Sequence, residues 1–76
     1  MIDEFREQIS AQFKDIIGDR QTYGVIEARR MALYRIKGWL EADLEQLLHN
    51  PYSDDNAILR ASAKLTLFSS VFLTGA

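Results

Sequence analysis

The stretch TYGVIEARRMALYRIKGWLEADLEQLLH, residues 22–49, decides the fold. Set out at about 100° per residue, Ile26, Leu33, Leu40, Leu44 and Leu47 fall on one narrow arc. Val25, Ala32, Ile36 and Trp39 widen that arc on one side, and Leu48 widens it on the other. Glu27, Arg30, Tyr34, Lys37, Glu41 and Glu45 hold much of the opposite face. The pattern predicts one long amphipathic helix, with Trp39 at the side of its core stripe. Asp19 or Thr22 is expected to cap its start. Gly24 and Gly38 fall inside it, each costing about 1 kcal/mol relative to alanine where exposed. Gly38 also leaves room for another backbone beside Trp39.

Working outward, His49-Asn50-Pro51 stops this helix, because the residue before a proline is pushed away from helical angles. His49 can satisfy end carbonyls there. PYSDDN, residues 51–56, reads as a loop, with Ser53 or Asp54 as the next N-cap and Asp55 near the helix dipole. A third helix is expected over residues 55–73. Ile58, Ala61, Leu65, Phe68 and Phe72 form its first apolar stripe, and Leu67 and Val71 lie on a different face. Ser62, Thr66 and Ser69 mark a third, small face. Charged residues stop at Lys64, so the last twelve carry none. A helix apolar on several faces asks for cover on several faces. Upstream, Ile2, Phe5, Ile9, Phe13 and Ile16 recur at helical spacing and predict a first helix over residues 3–17, with Gly18 as its C-cap.

The fold class is therefore all-α: a three-helix up-down arrangement with a long central helix, completed as a helical bundle by dimerisation. Seventy-six residues make room for one domain, residues 1–76, which buries only a modest core alone. There is no cysteine and a single histidine, so disulfides, thiolate zinc sites and His-rich metal centres are not expected. The opening residues MIDEFREQ lack the apolar run of a leader, and the LTLFSSVFLTGA stretch is too short to span a bilayer. The expected location is cytoplasmic, with no membrane partner.

The net charge of −2 gives little field for steering nucleic acid. Its distribution is uneven. Residues 22–40 carry Arg29, Arg30, Arg35 and Lys37 against Glu27 alone. Residues 41–56 carry Glu41, Asp43, Glu45, Asp54 and Asp55 with no lysine or arginine. That contrast suits pairing between subunits. Arg29 sits within the apolar arc and Asp43 on its edge. Fourteen residues separate them, roughly 21 Å along a helix, so they cannot pair within one. In an antiparallel homodimer each meets the other's copy; the plainer reading is that both reach past the edge of the face to solvent.

The four cations are the candidate nucleic-acid contact. They do not form one stripe, and PYSDDN puts carboxylates where a recognition helix would meet phosphate. The plain reading is a solvated face. Glu41 and Glu45 lack the Glu-x-x-His pattern of helical di-iron sites. Ser62, Ser69 and Ser70 have no histidine close in sequence, the single histidine lying across the PYSDDN loop, and no phosphate or dinucleotide fingerprint occurs. The chain reads as non-enzymatic and without a cofactor.

What remains is a protein-protein interaction module: an adaptor, a chaperone-like subunit or a regulator of a larger assembly, and itself a homo-oligomer, dimer favoured. The expected interface residues are Leu67, Val71 and Leu73, with Met31 and Tyr34 on a second, weaker stripe that also contains Gly38. A small DNA-associated regulator is the alternative. A third reading comes from LLHNPYSDDNAIL, residues 47–59, whose helix, Asn-Pro turn and helix loosely resemble the subunits of type III secretion needles. That resemblance implies a structural subunit of a helical assembly. The N-terminal helix and the charge-free end of the last helix depart from the needle pattern, which carries polar residues through its last helix, so the chain is not placed in that family.

Overall fold

A computed structural model describes residues 2–18 and 24–73, and every described segment of regular structure is helical. Three α-helices follow in order: α1 (Ile2–Gly18), α2 (Val25–His49) and α3 (Asp55–Phe68). The last continues into a π-helical segment, Ser69–Leu73. The chain divides into two compact units, Met1–Ile36 and Lys37–Ala76.

In the first unit, α1 begins with Asp3 and Glu4 in its first turn, where carboxylates offset the helix dipole. Phe5, Ile9 and Ile16 are buried, as their spacing requires. Gly18 is the last helical residue and does not adopt the left-handed conformation expected of a C-cap glycine. The proposed caps Asp19 and Thr22 lie outside the described residues. The helix after them starts later than expected. Gly24 stands just before α2, and its carbonyl accepts the Ala28 N–H at 2.9 Å. Glycine is tolerated at an N-cap, so Gly24 has none of the cost of an interior glycine.

One core cluster of this unit is Ile16, Ala28 and Ala32, with Phe13 and Met31 packed against it. Arg35 reaches Gln12 and Asp15 on α1. Contacts of α1 residues 12–16 thus run backwards along α2, from 35 toward 28, as in a helical hairpin. The alanines decide which side of α2 faces inward, since two small side chains let α1 approach closely. Ile26, expected on the core arc, is 78% exposed as a result.

The second unit contains the rest of α2. The helix is continuous through Gly38, and a Cβ at Gly38 would meet nothing within 4 Å. No backbone lies close there, which corrects the close-approach reading. Trp39 is also corrected: it is 53% exposed, not core. Burial along α2 steps by four, from Ala28 through Ala32 and Ile36 to the half-buried Leu40 and Leu44. Rows of that spacing lean around a helix. Trp39 stands off that row.

Asn50 ends α2. Its side-chain oxygen accepts the Tyr52 N–H at 3.0 Å, which closes a local turn. The His49 ring nitrogen Nδ1 lies 2.8 Å from the Glu45 carbonyl, one turn back in α2. Asp54, rather than Ser53, caps α3. Its backbone is extended, and its carboxylate accepts the Asn56 N–H at 3.2 Å. Ala61 and Phe68 are buried on the first apolar stripe, with Ile58, Leu65 and Phe72 half-buried.

The expected single helix to residue 73 is corrected at Ser69, where hydrogen bonding changes register. The Ser69 N–H is shared between the Leu65 and Thr66 carbonyls. The Ser70 hydroxyl donates to the Leu67 carbonyl at 3.2 Å. Phe72 nevertheless stays over Phe68, ring centroids 5.3 Å apart.

Candidate protein-interaction surface

The second unit supplies the charge-free end of the last helix. Residues 65–76 contain no Asp, Glu, Lys or Arg. Leu67 is half-buried on α3, Leu73 is half-buried on the π-helical segment, and Val71 is 42% exposed there. The change of register therefore divides the expected interface trio between two helical geometries. Thr66 and Ser70 are exposed beside them. An apolar side chain beside hydroxyls is cheaper to dehydrate than one beside ions, and here Lys64, one turn before Leu67, is the nearest charge along the helix.

A second patch on this unit was not anticipated. Leu59 is 65% exposed and lines a shallow groove with Asp54, Asn56, Arg60 and Ala63. The clue lay in its position: Leu59 is apolar yet off the Ile58–Ala61–Leu65 stripe.

In the first unit, Met31 and Tyr34 line one open groove with Glu27, Arg30 and Arg35. Their parts differ. Met31 is half-buried against the Ile16–Ala28–Ala32 core, whereas Tyr34 is 57% exposed. The methionine is thus a floor and the tyrosine a projecting wall. Gly38, the third member of the expected stripe, lies in the second unit and is exposed.

The four cations have different surroundings. Arg35 bonds Gln12 Oε1 and Asp15 Oδ2 through Nη1, each at 3.1 Å, and so ties α2 to α1. Lys37 lies 4.0 Å from Glu41, one turn along. Arg29 and Arg30 are exposed, as are Asp43 and Glu45. Sequence reasoning missed the Arg35–Asp15 bridge because partners twenty residues apart on separate helices leave no local spacing to read.

Among the described residues, no grouping of His, Cys, Asp and Glu could hold a metal ion. No described helix is long and apolar enough to cross a membrane. No protein-family model matches the chain, and neither a curated protein nor a solved structure matches it significantly.

Proposed function

We propose that this chain is a small cytoplasmic helical module that binds other protein chains, including its own copies, without catalysing a reaction. It serves as an adaptor, chaperone-like subunit or regulator of a larger assembly, and pairing completes a helical bundle. The observation that carries the reading is the charge-free end of the last helix, where Val71 remains exposed beside Leu67 and Leu73. Covering such a surface is favourable by about 25 cal/mol per Å² of apolar area, before the costs of association. Tyr34 over Met31 offers a second contact of the aromatic kind that often anchors interfaces.

The test is solution mass by light scattering over a roughly hundredfold concentration range, for the native chain and for a Leu67→Ser, Val71→Ser variant. The expected result is a native mass above the monomer that falls toward the monomer in the variant. A native chain that stays monomeric throughout, or a mass indifferent to both substitutions, overturns this assignment of the surface.

A further inference from the structure

Phe72 and Leu73 are consecutive, yet both are half-buried. Unbroken α geometry would not shield both. Phe72 falls one turn after the buried Phe68, but Leu73 falls three residues after Ser70 and seven after Thr66, and both of those are exposed. The wider turn over Ser69–Leu73 changes this. It sets Leu73 back by about one residue's rotation, roughly 100°, toward the place an α-helix reserves for the residue four after Phe68. Phe72 meanwhile keeps its ring centroid 5.3 Å from that of Phe68.

The hydrogen bonds at the entry to this turn belong to both geometries. The Ser69 N–H is shared between Leu65 and Thr66, so the α bond to Leu65 is still made. The Ser70 hydroxyl then donates to the Leu67 carbonyl at 3.2 Å. That carbonyl is the acceptor of the Val71 N–H in an α-helix and of the Phe72 N–H in a π-helix. A serine that bonds back to a carbonyl in the turn before it weakens the α bond made there.

We infer, resting on the interface proposed above, that Ser69–Leu73 is a two-position register switch controlling how much apolar surface the last helix displays. In the π register Leu73 is drawn in toward the Phe68 side. In the α register it swings out to join Thr66 and Ser70 and adds to the surface offered by Leu67 and Val71. A second copy of the chain that covers Leu73 binds the α register alone and draws the segment into it. The Ser70 hydroxyl is the catch that favours the closed position.

Ser70→Ala removes the catch and supplies a better helix former. Thr66→Ala makes a similar apolar change on the same face and leaves the Ser70 hydroxyl in place, so it is the control. Scalar couplings across hydrogen bonds, read by NMR on dilute chains, identify the donor to the Leu67 carbonyl. Phe72 is expected in the native and Thr66→Ala chains, and Val71 in a growing share of Ser70→Ala.

Light scattering gives the second readout. Apparent affinity scales with the fraction of chains in the competent register, so Ser70→Ala should tighten self-association by about threefold or more. Thr66→Ala should change it less, and adding Leu73→Ser to Ser70→Ala should cancel the gain. The switch is overturned if Ser70→Ala keeps the Phe72 bond, if it tightens association no more than Thr66→Ala does, or if the gain survives Leu73→Ser. The interface reading fails separately. A native chain that stays monomeric overturns that reading, and the couplings alone then decide whether the segment changes register. A native oligomer that Leu67→Ser, Val71→Ser disrupts and Ser70→Ala leaves unchanged retains the interface and overturns the switch.

Discussion

Arg35 on α2 holds Asp15 on α1 through a single Nη1–Oδ2 contact of 3.1 Å. Its side chain is 42% exposed and that of Asp15 is 73% exposed. The pair works in water, so its stabilisation is small. In a double-mutant cycle with Arg35→Ala and Asp15→Ala, the coupling energy should be below about 1 kcal/mol and should shrink with added salt. Urea unfolding of the four chains measures it. A coupling above about 2 kcal/mol would show that the pair is far better shielded than its exposure implies.

Ala28 and Ala32 have no exposed surface, and Ile16 packs against them. Enlarging one of them overfills this contact. Ala32→Leu is expected to cost about 1–3 kcal/mol, read as a lower urea midpoint at unchanged slope. A neutral result would mean that α1 can move away freely.

Gly38 presents the opposite case. It lies inside α2 with open space where a Cβ would point. Gly38→Ala should stabilise the chain by up to about 1 kcal/mol through helix propensity alone. Thermal unfolding followed by circular dichroism tests this, and a lower midpoint would contradict the open environment.

Asp54 caps α3 by accepting the Asn56 N–H. Asp54→Ala should cost about 1 kcal/mol, whereas Asp54→Asn, which keeps a cap oxygen, should cost less. Equal losses in the two variants would indicate that the carboxylate acts by charge rather than as a cap.

Phe68 is fully shielded on the stripe it shares with Ala61. Phe68→Ala should cost about 3–5 kcal/mol. For a chain this small such a loss is comparable to total stability, so the expected observation is loss of the cooperative unfolding transition.

Much of the helical layout was legible because its signals are local. The Asn-Pro stop after His49, the choice of Asp54 or Ser53 as cap and the Ile58–Ala61–Leu65–Phe68–Phe72 stripe each depend on near neighbours. Trp39 and Ile26 were misjudged for the complementary reason. Periodicity identifies an apolar arc, but which part of it the rest of the chain covers depends on long-range packing, and here small Ala28 and Ala32 prevailed over larger residues. The start of α2 moved from residue 22 to Val25 because Gly24 serves as a cap. Of the interface candidates, Met31 proved to be partly core, and Leu59 joined the exposed set because it is off-stripe.

The π-helical segment has a consequence for chain length. A π turn bonds five residues back rather than four, so it accommodates one more residue than the α turn it replaces. Ser69–Leu73 therefore contains a spare residue, with the Ser70 hydroxyl occupying a carbonyl near the change of register. Loss of one residue here can be absorbed by reverting to α geometry, with everything before Ser69 left in phase. The same loss in the middle of α3 would rotate Phe68 off its shielded side. The segment is where this helix tolerates variation in length.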